Sequence, residues 1–365
     1  MSDPTAPLTV EGARFVAPGG GLAYVPELPP PAGGCVVLRP GLRWLRMPLP
    51  MVLNHINIWL LEMADGWVLI DTGMATADTR RIWIERASEL LDGKPLRLIV
   101  VTHFHPDHAG LVGWLQRRHD VPVWMSRDTY RALEEFSSED PASAAAASRA
   151  YFIAHGIENP AELELMSAFG ERRREMVDPA LPRVERFLED GDTVRWNGND
   201  WNVYATDGHA LGHLCFECTG EDSSGAFGWC VAGDQILPTI SPNVSLNAAA
   251  RDPDPLRSYL ASLDRLAALP ERLVLPSHGI PFVGLAIRAA ALKAHHDVQL
   301  EKLLLACARE GRSAVELLAV MYRRPLGAID KVLGLGETVA HLEYLVARRQ
   351  LERRVDAEQR ITYGV

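Results

Sequence analysis

The sequence has no stretch of about 18 apolar residues, which excludes an ordinary membrane-spanning helix. Its opening residues, MSDPTAPLTV, offer neither a basic start nor an apolar run, so no secretory signal is read there. Cysteine is scarce: five in 365 residues, at positions 35, 215, 218, 230 and 307. An odd, scattered set points to reduced thiols and to a cytoplasmic setting. Cys215 and Cys218 lie in a strand-like run with no second matching pair, so strand packing is favoured over a zinc knuckle. Positive charge is also in deficit. The formal net charge of −10 makes the average surface repel phosphate backbones and acidic membranes. No repeat of fixed period is present. Nor is there a G-x-S-x-G turn to present a nucleophilic serine.

What the chain does have is apolar content. At 47% hydrophobic it can bury a large core in more than one domain. Residues 1–35, rich in Pro and Gly, read as an arm that lies over the domain or is partly disordered. Strands are expected at 42–47, 55–62 and 67–70, a helix over 79–91, a strand over 96–101, a helix over 111–118 and a strand over 121–125. Residues 127–182 break this rhythm with Ala-rich and charged stretches, including 144–147 and 172–174. They read as two or three inserted helices, a lid or a covering for a sheet edge. Strands resume at 186–188, 193–196, 201–206, 214–218, 227–232 and 273–275, with a helix over 255–268. Runs of strands with helices between and outside them suggest an α/β fold of two mixed sheets packed face to face, helices outermost.

From about residue 290 the pattern turns helical. A helix is expected over 293–309. A second opens at the capping box Ser313-Ala314-Val315-Glu316. Two more fit 326–334 and 337–350, and 351–355 can pair with 360–363 as a hairpin. Helices followed by a small hairpin read as a winged-helix-like module.

The densest chemistry is Thr102-His103-Phe104-His105-Pro106-Asp107-His108, where four metal-capable side chains fall within six residues directly after a strand. Pro106 bars helix at His105, so the chain leaves the strand as a tight loop. That loop can turn His103 and His105 one way and Asp107 and His108 another, serving two cations. Three further candidates, His209, Asp234 and His278, each follow a predicted strand. Asp71-Thr72-Gly73 makes a tight turn at a strand end, its carboxylate free to bond neighbouring loops. His213 is read as a hydrogen-bonded structural residue or a substrate contact. His55 and Asn57 are placed beside the site as possible pocket residues. His295 and His296, adjacent on a helix, are expected at the surface.

Asp71-Thr72-Gly73, His103-x-His105-x-Asp107-His108, Gly208-His209, Gly233-Asp234 and Ser277-His278-Gly279, in this order, resemble the five motifs of the metallo-β-lactamase fold superfamily. The resemblance spans roughly residues 36–290 and implies an αββα sandwich with a binuclear metal site at one edge, of the glyoxalase II-like kind. Carried over by position, His103, His105 and His209 would hold one metal, and Asp107, His108 and His278 the other. Asp234 would bridge them, and Asp71 would orient the ligand loops. The implied cofactors are two divalent ions, zinc first, with iron or manganese also accepted by these ligands. A hydroxide shared by the metals would attack the substrate, with Asp107 as the catalytic proton-handling residue. Residues 291–365, together with Ile240-Ser241-Pro242-Asn243, look like the associated winged-helix domain of some lactamase-like hydrolases.

The function expected is hydrolysis of a small ester, thioester or lactone. Two alternatives stand beside it: a nuclease of the winged-helix-bearing subgroup, and an iron-dependent enzyme resembling persulfide dioxygenases. Residues 291–365 carry 12 Lys and Arg against 10 Asp and Glu, a weak footprint for nucleic acid. A small-molecule substrate is therefore the expected partner, with no membrane, and the module is read as packing on the catalytic domain or forming a homodimer.

Overall fold

A computed structural model of the protein describes residues 9–10, 13–14, 21–169, 174–218, 220 and 228–365. Two seven-stranded sheets face each other. In spatial order the first runs Val184–Phe187, Val123–Met125, Leu96–Val100, Gly66–Ile70, His55–Met63, Leu42–Pro48 and Gly34–Arg39. The second runs Thr193–Trp196, Asn199–Ala205, Leu214–Cys218, Trp229–Gly233, Leu273–Pro276, Phe282–Val283 and Ala23–Tyr24. Both are mixed. The hairpin-linked strands pair antiparallel, while Gly66–Ile70 with Leu96–Val100, and Trp229–Gly233 with Leu273–Pro276, pair parallel.

The central strands are buried on both faces, so they read as unbroken apolar runs, as in WVLI and WCVA. Between the sheets lie Trp44, Trp59, Trp196, Trp201 and Phe216. The outer face of the first sheet packs Leu60, Leu69 and Ile99 against Trp83 and Leu115 of the helices Ala77–Leu90 and Val112–His119. The second sheet's outer face packs Cys215 and Val274 against the helices Pro255–Ala267 and Leu285–Cys307. The architecture is the αββα sandwich with a small C-terminal domain that the sequence reading expected.

Three expectations change. Part of the residue 1–35 arm is sheet: Ala23–Tyr24 pairs with Phe282–Val283 at the edge of the second sheet. Residues 1–8, 11–12 and 15–20 of the arm lie outside the described residues, as do Arg172 and Arg173 of the charged stretch and Phe227 of the 227–232 strand. The helices expected at 326–334 and 337–350 are one, Ala328–Ala347. Gly334 and Gly336, which look like breakers, serve close packing instead. A Cβ on Gly336 would sit 2.9 Å from Ser245 Oγ. Finally, His296 is buried rather than at the surface, bonded to His341 across two helices.

The inserted helices Arg127–Ser138, Pro141–Ala154 and Pro160–Ser167 are packed down. Phe152, Ile157, Leu163 and Met166 share one core with Leu303, Leu317, Leu335 and Leu342 of the C-terminal helices and with Tyr259 and Leu263. Sandwich, insertion and C-terminal domain are therefore joined by a common apolar interior.

Candidate metal centre

The parallel pairings bring several strand C-terminal ends to one rim, and the candidate residues leave from those ends. His103, His105, Asp107 and His108 follow Leu96–Val100, and Asp71 follows Gly66–Ile70 in the first sheet. His209 follows Asn199–Ala205, Asp234 ends Trp229–Gly233, and His278 follows Leu273–Pro276 in the second. The loops need backbone that other residues resist. Gly208 (φ +118°) and Gly233 (φ +51°) are left-handed, and a Cβ would meet Tyr259 backbone and His213 Nε2 at 2.4 Å.

Three nitrogens converge: His103 Nε2 and His105 Nδ1 at 2.9 Å, His209 Nε2 and His105 Nδ1 at 3.0 Å, and His209 Nε2 and His103 Nε2 at 3.3 Å. Hydrogen-bond partners fix what these atoms carry. His209 Nδ1 donates to the Asn243 carbonyl at 2.8 Å, so its Nε2 presents a lone pair. His103 Nδ1 lies 3.0 Å from Thr102 Oγ1, whose own proton goes to Asp71. His103 therefore also turns a lone pair inward. Burial above all holds the His103 and His209 pKa values below the ordinary histidine value, which favours the neutral ring with one N–H and one inward lone pair.

The second cluster joins Asp107, His108 and His278, and Asp234 stands between the two. His108 Nδ1 donates to Asp71 Oδ2 at 2.8 Å, and His278 Nδ1 to the His55 carbonyl at 2.7 Å. Their Nε2 atoms face the carboxylates, His278 at 3.3 Å from both Asp107 and Asp234, His108 at 3.6 and 3.5 Å. His108 Nε2 and Asp234 Oδ1 are buried with no hydrogen-bond partner. Burial disfavours charge on His278, yet Asp234 and Asp107 override it and raise its pKa to about 10. Likewise burial opposes ionisation of Asp107 and Asp234, but His108 and His278 hold both carboxyls below the ordinary range. Acceptor atoms aimed at common points, with buried orphans among them, fit divalent cations: His103, His105 and His209 for one, Asp107, His108 and His278 for the other, Asp234 within reach of both.

The remaining predicted residues are struts. Asp71, itself at φ +65°, accepts from Thr102 N at 2.8 Å, from Thr102 Oγ1 and from His108 Nδ1. His213 is fully buried. Its Nε2 accepts from Asp234 N at 3.1 Å and its Nδ1 pairs with Thr206 Oγ1 at 2.8 Å, so it fixes the Asp234 backbone. Asn57 is a buried strut, and His55 is half-buried beside the His278 ring. Asn57, 1% exposed, takes a bond from Trp44 Nε1 at 2.8 Å and donates to the carbonyls of Pro276 and Gly279. His55 Nε2 accepts from Gly279 N at 3.0 Å. Both tether the His278 loop because a polar residue on a doubly buried strand must spend its bonds on backbone. Sequence reasoning missed Thr102 and Asn243. Thr102 stood in view beside His103, whereas Asn243 acts through its backbone carbonyl, which any residue carries.

A rim where two mixed sheets deliver seven His and Asp side chains to two clusters defines a metallohydrolase sandwich. Residues 52–278 match the Metallo-beta-lactamase superfamily and residues 300–365 match the Metallo-beta-lactamase-like, C-terminal domain; the chain belongs to this superfamily. It is similar over 94% of its length to a beta-lactamase domain protein from Burkholderia ambifaria, with 36% identity, 98% of that chain covered and a TM-score of 0.82. Over 72% of its length it is 25% identical to the lactamase-like protein adaB of Aspergillus niger, of whose length it spans 62%. Over 67% it is 24% identical to a hydroxyacylglutathione hydrolase from Chromohalobacter salexigens, covering 70% of that protein.

Proposed function

We propose that the protein hydrolyses a small ester, thioester or lactone with two divalent cations, zinc in first place, held by His103, His105, His209, Asp107, His108, His278 and Asp234. The observation that carries this reading is the convergence of inward lone pairs and buried, unpartnered carboxylate and imidazole atoms from both sheets. Cations held there supply Lewis acidity to a substrate oxygen and bring the pKa of water down to about 7. The chain's own contribution is orientation and proton handling. Asp107 is kept anionic by His108 and His278, and its carboxylate is partly open to solvent. It is placed to receive a proton from an attacking water at Oδ2. His213 and Asp71 hold their neighbours in the required tautomers and positions.

Thioesters are included because a similar protein bears the name hydroxyacylglutathione hydrolase. A small-molecule substrate is favoured over nucleic acid because the C-terminal cations are locally neutralised: Arg324 pairs with Asp330, Arg348 with Asp254, Arg353 with Glu343 and Arg354 with Glu352. All five cysteines are free thiols, which supports a reducing compartment. The test is metal analysis with a panel of thioester, ester, lactone, β-lactam, phosphodiester and RNA substrates. Turnover of an acyl substrate should vanish on chelation, and Asp107→Ala should lower kcat by about 10²–10⁴. Full rate in that variant would remove Asp107 from its role. Oxygen uptake with one iron per chain, or RNA cleavage, would replace the reading.

A further inference from the structure

His209 closes the first cluster, and the only carbonyl that sets its tautomer among the described contacts belongs to a segment outside the sandwich's strands. Asn243, whose carbonyl accepts from His209 Nδ1, begins a short run, residues 243–246, gripped from two sides. On one side is the C-terminal helix Ala328–Ala347. Asn243 Nδ2 donates to Leu333 O at 3.3 Å, Asn243 Oδ1 accepts from Ser245 Oγ at 2.5 Å, and Leu246 N donates to Gly336 O at 3.0 Å. Gly336 has no side chain where Ser245 presses in, its hypothetical Cβ lying 2.9 Å from Ser245 Oγ and 3.0 Å from Ser245 Cβ. On the other side, Tyr151 of the insertion donates its hydroxyl to Leu246 O at 2.6 Å. Lys331 and Glu162 form an ion pair that ties the helix and the insertion together.

We infer that the C-terminal helix positions His209 through residues 243–246, which makes Asn243 and Gly336 positioning residues for the cation held by His103, His105 and His209. The inference rests on the proposed metal-dependent reading and extends it to the C-terminal domain. The domain acts on the centre without contributing a ligand. A displacement of residues 243–246 would turn the His209 ring, since a histidine ligand follows the partner of its other nitrogen. The second cluster draws its other ligands from loops braced by Asp71, His55 and Asn57, and Asp234 is what it shares with His209.

The experiment strips the full-length protein of metal and titrates it with zinc against a competing chromophoric chelator, resolving two dissociation constants. His105→Ala marks which constant belongs to the first cluster. Gly336→Val, which drives a branched side chain at Ser245, should raise that constant about 10–100-fold and change the other less. Asn243→Ala, which frees the segment from Leu333 without adding bulk, should act in the same direction. Ser245→Gly placed in the Gly336→Val chain should recover part of the lost affinity, since it relieves the clash but gives up the Ser245 Oγ bond to Asn243 Oδ1. Unchanged constants in both variants would overturn the inference. So would an equal loss at both clusters that follows a fall in Tm and is not recovered by Ser245→Gly. If the unmodified protein binds no zinc at either cluster, the failure lies with the metal-dependent reading itself.

Discussion

Asp71 occupies a left-handed backbone position, which a short carboxylate residue tolerates better than most, and from it reaches three donors at once. Asp71→Asn keeps the size but presents an amide where Thr102 and His108 need acceptors. Metal affinity should fall about 10–100-fold while the circular dichroism spectrum is retained. Asn57 is the comparable strut for the His278 loop. Asn57→Ala leaves the buried Trp44 indole N–H and two carbonyls unpaired, and should cost about 1–3 kcal/mol or more in urea denaturation. At this scale the sequence shows ligands well and struts poorly. Four metal-capable side chains in six residues are conspicuous in any listing of residues, and Asp71 announces itself by its turn. Asn57 and His55 look like site residues from their polar spacing, yet which way a strand residue faces depends on what covers the sheet. A carbonyl such as that of Asn243 has no sequence signature.

The helices Leu285–Cys307 and Ala328–Ala347 meet over a histidine pair with an enforced protonation pattern. His341 Nδ1 donates to Glu337 O at 2.7 Å, so His341 Nε2 must accept from His296 Nδ1, 3.0 Å away. A proton added to His341 Nε2 would set two N–H groups against each other, and one added to His296 would fall on an Nε2 that is buried without a partner. Burial first, and then neighbouring histidines, lower the His296 pKa to about 3; burial lowers that of His341 to about 4. Both folded values lie below the ordinary 6.5, so the unfolded chain binds more protons between pH 6.5 and about 3. The contribution of this pair to stability is complete above pH 6.5 and is lost as pH falls through that window. Tm measured from pH 7.5 to 4.5 should fall, and His296→Leu combined with His341→Leu should flatten the part of the fall that metal-site residues do not cause. Element boundaries are legible where apolar runs and caps coincide. The Ser313 and Glu316 capping box in the C-terminal domain is an example. The merged helix was not, because Gly334 and Gly336 obey packing against Tyr322 and Ser245 rather than helix propensity.

Across the whole molecule, the C-terminal domain and the sandwich cannot be parted cleanly, since Leu303, Leu317, Leu335 and Leu342 share an interior with Val244, Tyr259 and Leu263. A chain ending near residue 290 should expose that apolar surface and be recovered aggregated, a result checked by size-exclusion chromatography. Charge acts at the same scale. With a net −10 and several of its C-terminal arginines, such as Arg353 and Arg354, paired to carboxylates, the protein should bind a labelled single-stranded RNA no more than weakly at 0.15 M salt. Fluorescence anisotropy measures this directly, and tight, steeply salt-dependent binding would contradict it.

Each cluster takes side chains from both halves of the sandwich: His103 and His105 from one sheet with His209 from the other, Asp107 and His108 from one with His278 from the other. An ion seated in either is thus a rivet through two plates that are otherwise joined along this rim by loops. Withdrawing the metal with a chelator should lower Tm in step with ln(1 + [metal]/Kd) and quicken amide exchange at the strand ends of both sheets together.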